Sequence, residues 1–222
     1  MRNTTIAALL AGLSLAGVAP AFAQEKAEMP SDIAPGSLSR LPVLQRSDLD
    51  DEGKALYDEI IGRDKPAPTS GPVAVSLYSP KIAKPWNDLN GFLRYNGKLS
   101  PRHTEVAILV ATREIEQQYE YSAHEPAALR FGAPQAVIDT IKYNREPEGL
   151  SPEETLIIKL GRQLMREHKV DSDLFAEAVR LFGRTGTVEL VTVMGDYVMV
   201  GMVLTAIDQQ LPKDRPARLP AR

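Results

Sequence analysis

The chain has 222 residues, 43% hydrophobic and 25% charged, which is enough for one domain with a buried core and too apolar for a disordered segment. Its formal charge of -3 is spread without basic blocks, which removes the compositional case for nucleic-acid binding. Cysteine is absent, so disulfides and thiol chemistry are excluded.

In chain order, Arg2 supplies a positive start, residues 6–18 are an apolar run too short to span a bilayer, and Ala21-Phe22-Ala23 fits the small-x-small cleavage rule. Residues 1–23 therefore read as a signal peptide, and the mature protein as exported, to the periplasm in a Gram-negative source. Residues 24–46 lack periodicity and are expected to form an extended arm. A helical domain is expected over 47–210, followed by a mobile tail at 211–222 carrying Lys213, Arg215, Arg218 and Arg222.

Within the domain, Ser47-Asp48-Leu49-Asp50 has the form of a capping box and opens a first helix through Leu56, Tyr57 and Ile60. Three later helices begin with the same pair: Ser79-Pro80, Ser100-Pro101 and Ser151-Pro152. There the hydroxyl can accept from a free backbone N–H, while proline at the first helical position loses no bond. The expected helices cover 80–96, 101–117, 119–131, 134–144, 152–167, 172–182 and 187–209, with Gly97, Gly132 and Gly183 as left-handed caps. No segment shows period-two alternation between turns, so the fold class is all-α; the β-branched runs 73–75 and 191–193 are its weakest points.

Residues 190–207 are apolar enough to raise a membrane span, but Asp196 near the centre would cost about 2.5–3.5 kcal/mol on insertion scales. A buried core helix is the better reading, with Met194, Met199 and Met202 as core filler. No membrane span is expected once the signal peptide is removed.

Chemistry concentrates in residues 100–132. Glu120 and His124 are four apart and share a helical face, where a carboxylate can fix the tautomer of an imidazole and raise its basicity. Glu105 sits at the margin of the preceding apolar stripe, where burial would raise its pKa toward acid or base duty. Tyr121, Tyr197, Trp86 and Arg94 are further candidates for lining a pocket, Arg94 for an anionic substrate group. His103 and His168 read as solvated helix-end residues. Three scattered histidines without a His-x-x-x-His spacing provide no zinc site, and no metal is expected.

Leu99-Ser100-Pro101-Arg102, Glu105-Val106-Ala107-Ile108-Leu109-Val110 and Tyr119-Glu120-Tyr121-Ser122-Ala123-His124 together resemble the signature of the carboxymuconolactone decarboxylase and AhpD-like alkylhydroperoxidase superfamily. The resemblance runs from about residue 49 to residue 208. It implies an AhpD-like bundle of about seven helices assembled as a trimer or hexamer. Peroxidase members of that superfamily use a Cys-x-x-Cys pair followed by a histidine, with a glutamate on the preceding helix. Here the histidine matches His124 and the glutamate Glu105, while the cysteine positions hold Gln117 and Glu120, so a disulfide-cycling peroxidase is excluded.

What the resemblance leaves is the cysteine-free, decarboxylase-like branch, which handles small cyclic organic acids and lactones without metal or organic cofactor. It implies a lyase (carboxy-lyase) or isomerase working by proton transfer: His124 as general acid or base, Glu120 orienting it, and Glu105 as the second proton-transfer group. The alternatives are a helical module that holds a small ligand without turning it over, and a structural oligomer. One departure matters. Relatives often carry glycine between the two helices, whereas Ile115-Glu116-Gln117-Gln118 is compatible with continued helix, and an unbroken helix would set Glu105 and His124 about 28 Å apart. A bend near Gln117 is required.

Overall fold

A computed structural model describes residues 29–220. The expected signal peptide, 1–23, and the start of the arm lie outside the described residues. Among the described residues eight α-helices follow one another: α1 (Asp51–Ile60), α2 (Pro72–Ser76), α3 (Pro80–Tyr95), α4 (Pro101–Glu114), α5 (Gln118–Arg130), α6 (Gln135–Lys142), α7 (Pro152–Arg162) and α8 (Ser172–Ala206). The described residues contain no strand, only an isolated bridge between Ala34 and Ser39. The all-α expectation holds, with β-branched 73–75 helical in α2 and 191–193 helical within α8.

The core is built around α4, which packs against α5, α6, α7 and α8. Every residue from Thr104 to Thr112 is buried. A helix apolar all round belongs at the centre of a bundle, and this segment is more fully enclosed than the single stripe its sequence suggested. Ile108, Leu109, Val110, Leu156, Ile157, Leu160, Leu190 and Met194 form the heart of that core. Each fully buried side chain of this kind contributes roughly 1.5–3 kcal/mol.

The Ser-Pro starts are only partly as expected. Ser100 accepts from the His103 amide and Ser151 from the Glu154 amide, the latter also bonding the Glu154 carboxylate, but Ser79 makes no cap bond. The first helix starts later than the sequence suggests. Asp50, not Ser47, is its cap, accepting from the Gly53 amide, and residues 46–48 form a single 3-10 turn. The last two expected helices run together as α8, kinked at Gly183, whose φ of 69° is open to glycine at little cost. By length and composition alone α8 could cross a membrane, yet half of its apolar window is buried in the protein. Met194 is core, whereas Met199 and Met202 are exposed and do not fill it.

The segments flanking the helices dock on them. In the arm, the Arg40 amide donates to the Ile207 carbonyl and Leu38 accepts from the Gln210 amide. The tail, expected to be mobile, folds back along α5. The Arg218 amide donates to Ser122 Oγ, the Leu219 amide donates to Gln118 Oε1, and Arg215 covers the Tyr119 ring. Leu219 packs against the main core, which supplies the apolar contact that a charge-based reading of the tail misses.

Candidate active site

The required bend is present. Helix α4 ends at Glu114; Glu116 adopts a left-handed φ of 52°, and the Gln117 amide donates to the Thr112 carbonyl across the turn. A non-glycine residue there costs about 1–3 kcal/mol, so the surroundings must hold it. Gln117 does much of that holding: Oε1 accepts from the Tyr119 amide at the start of α5, and Nε2 donates to Thr205 Oγ1 on α8. Helix α8 can come this close because residue 201 is glycine; a methyl group there would collide with Ile115.

The fold-back sets α5 beside α4, and Glu105 meets His124 at 2.6 Å, Oε2 to Nδ1. On the other side of the ring, Nε2 lies 3.4 Å from Glu120 Oε2, within one turn of the same helix. Arg94 from α3 donates to the second oxygen of Glu105 at 3.2 Å. The three acid/base candidates named from sequence are thus brought together, and all three are buried. The Tyr197 ring from α8 meets the imidazole edge-to-face at a centroid distance of 4.8 Å.

Charge follows from this geometry. Burial is the largest single influence on His124 and opposes its protonation, but the hydrogen bonds from Glu105 and Glu120 outweigh it and raise the pKa above the ordinary value. For Glu105, burial again acts first and pushes upward, and the bonds from His124 and Arg94 win, holding the carboxyl below its ordinary range. The expectation of a raised Glu105 pKa is overturned because two cations face it. The stable arrangement is an imidazolium between two carboxylates, one of which is also clamped by a guanidinium.

A cavity of about 110 Å³ opens against this cluster, bounded by Trp86, Asn90 and Arg94 of α3, Glu120 and His124 of α5, and Tyr197 and Val200 of α8, with Pro72 and Val73 of α2. Trp86, Tyr197 and Arg94 line it as the sequence suggested. Tyr121 does not: it points the other way, fully buried in the main core near Glu125 and Arg113. Arg94 is not a free anion-binding group either, since its guanidinium is engaged with Glu105. Glu105 is behind His124 and outside the cavity wall. His103, expected in solvent, is half-buried against the Phe182 ring, and burial lowers its pKa.

Sequence reasoning missed Asn90 and Asp196. The Asn90 amide donates to Asp196 Oδ2 at 2.8 Å, and Asp196 Oδ1 is buried without a partner. The spacing 86, 90, 94 was available as a signal: three polar or amphipathic residues on one face of α3, each one turn apart. A much larger cleft, about 690 Å³, lies between α7, its π-helical continuation and the start of α8, lined by Glu146, Lys159, Arg162, Glu167 and Asp173 among others. No histidine lines it, and size alone does not make it the reactive site. Among the described residues no group of three or more His, Cys, Asp or Glu is arranged to hold a metal.

No family model and no curated protein matches this sequence. Solved structures do match its fold. An uncharacterized peroxidase-related protein from Ralstonia eutropha JMP134, with an alkylhydroperoxidase AhpD core, superposes with a TM-score of 0.60 at 14% identity, over 80% of this chain and 94% of that one. The debrominase Bmp8, solved as a variant in complex with 2,3,4-tribromopyrrole, gives a TM-score of 0.58 at 12% identity, over 78% and 91%. The chain therefore has the AhpD-like helical fold. At these identities the likeness speaks to the fold alone.

Proposed function

We propose that this protein is a cofactor-independent proton-transfer enzyme, a lyase or isomerase acting on a small cyclic organic acid or lactone. The observation that carries the reading is the unbroken chain Arg94–Glu105–His124–Glu120 ending at a cavity of about 110 Å³. In this reading the roles anticipated for the two glutamates are exchanged. Glu105, with both oxygens engaged behind the ring, orients His124 and holds it protonated. Glu120 faces the cavity, so it is the base that takes a proton from substrate, while His124 Nε2 is the acid that returns one. The Trp86 and Tyr197 rings in its wall offer faces on which a single ring could pack.

The test is a turnover screen over small cyclic acids and lactones, run with wild type, His124→Ala and Glu105→Gln. Turnover that both substitutions remove supports the proposal. Full activity in either variant, or tight binding without product across the screen, refutes it and leaves a small-ligand-binding module.

Export and self-association belong to the same proposal. Export is supported by the leader-like pattern of residues 1–23. Self-association with a second copy is supported by an exposed apolar row on α8, Val188, Val191, Met199 and Met202, whose spacing is that of a helix-pairing seam. Light scattering on the mature protein should give a mass of several subunits, three or six from the resemblance. Val188→Glu with Met202→Glu should reduce it to one.

A further inference from the structure

The two substrate classes left open above differ in charge, and the cavity distinguishes between them. It holds two cations, Arg94 and His124, and both are already committed: Arg94 to Glu105, and His124 to Glu105 on one nitrogen and Glu120 on the other. With Glu105 and Glu120 as the two anions, the charges close within the protein. A substrate carboxylate entering here meets no free cation and faces Glu120 directly.

A third carboxyl, Asp196, stands behind the wall. It is 4% exposed, bonded through one oxygen to Asn90, and its other oxygen has no partner. Burial is the main reason its pKa lies above the ordinary value, and the negative charge of Glu120 adds to this. The groups facing it are Asn90, Trp86 and Arg94 of α3 and Glu120 of α5, of which only Arg94 is cationic and that one is spent on Glu105. Neutral or ionised, Asp196 adds no cation that a ligand carboxylate could pair with.

One polar site remains available to a ligand. Glu120 makes no hydrogen bond among the described residues beyond its contact with His124, so an oxygen is free to accept. Arg94 Nε also lacks a partner, but it is buried and offers no open face. Beside Glu120, Trp86 and Tyr197 present aromatic surface.

We propose that this pocket takes an uncharged single-ring ligand that offers an N–H or O–H to Glu120, and that it excludes ring carboxylates. This rests on the site of the preceding section but not on its catalysis: within the proposed reaction it selects a neutral ring that bears a donor, such as a hydroxylactone, and sets aside the free acid.

The experiment uses Trp86, the single tryptophan of the chain, which lines the cavity and reports occupancy by its fluorescence. Two transparent probes with the same number of non-hydrogen atoms are titrated into the mature protein: 2-piperidinone, a neutral lactam, and cyclobutanecarboxylate. The expected result is lactam binding at least about tenfold tighter than the carboxylate, the worth of one hydrogen bond to a charged group. Glu120→Gln, with unchanged circular dichroism, should reverse the order, because Arg94 and His124 then share the single carboxylate of Glu105 and the site is left with a net positive charge. Equal or tighter carboxylate binding by wild type, no binding of either probe, or an unchanged order in Glu120→Gln would overturn the assignment. A carboxylate-preferring pocket would still leave proton transfer intact, since that reading fails only in the turnover screen.

Discussion

Helix α5 carries two buried ionic clusters on different faces, and their difference is instructive. Glu120 and His124 look onto a cavity. Glu125, one residue further along, is closed in by Lys142 at 2.6 Å and Arg218 at 2.8 Å. Both clusters bury carboxylates that need partners. At Glu125 those partners are permanent cations, one of them on the returning tail, so the cluster can only fasten α5 to α6 and to the chain end. At Glu120 the partner is an imidazole, which can give up its charge, and the adjoining space admits a molecule to receive the proton. A group that titrates and a void beside it are what separate a reactive cluster from a structural one.

Substitutions on the two sides should part company. The largest effect is expected from His124→Ala: a rate loss of about 10²- to 10⁴-fold in the screen described above, the usual worth of one acid/base group, with helicity retained. Glu125→Ala should do the reverse. It leaves Lys142 and Arg218 without their anion and lowers unfolding free energy by about 2–3 kcal/mol in a urea titration, part of the full cost being relieved by solvent at Arg218. Its rate per folded molecule should stay within about twofold of wild type. A larger rate loss in Glu125→Ala than in His124→Ala would dissolve the distinction.

A smaller effect concerns pH. His124, raised by its carboxylate neighbours, contributes stability that is fully present below its unfolded value of 6.5 and is lost as pH rises through the folded value. Glu105, lowered by its cations, contributes stability present above its unfolded value of 4.5 and lost as pH falls through the folded value. Both are in place between 4.5 and 6.5, so melting temperature should peak in that window. Glu105→Gln should flatten the alkaline decline in melting temperature, because one of the two anions that hold the proton is gone. An unchanged decline would mean that Glu105 does not act on His124.

Much of this was readable from local rules. Pro101 and Pro152 at first helical positions, Ser100 and Ser151 as caps, and the four-residue step from Glu120 to His124 all depend on neighbours in sequence, and all are present. The turn at Glu116 was not readable, because Ile115 to Gln118 are all acceptable in a helix; what breaks it is Gln117 gripping Thr205 on a helix far along the chain. Asn90 and Asp196 were missed for the same reason. They are brought together by α3 crossing α8, so the 86, 90, 94 spacing and an acid within an apolar helix could mark each residue but not their pairing. The Glu105 pKa was misjudged because burial could be foreseen from the apolar stripe, whereas Arg94, which outbids it together with His124, arrives from another helix.

The returning tail ties the reactive helix to the last residues of the polypeptide. Ser122 and Gln118, which receive the Arg218 and Leu219 amides, are interleaved with Glu120 and His124 on the same two turns. Trimming by a carboxypeptidase, or a purification handle fused in place of residues 215–222, would therefore act on the part of the molecule where a proton is expected to move. Handles belong at the other end of the chain.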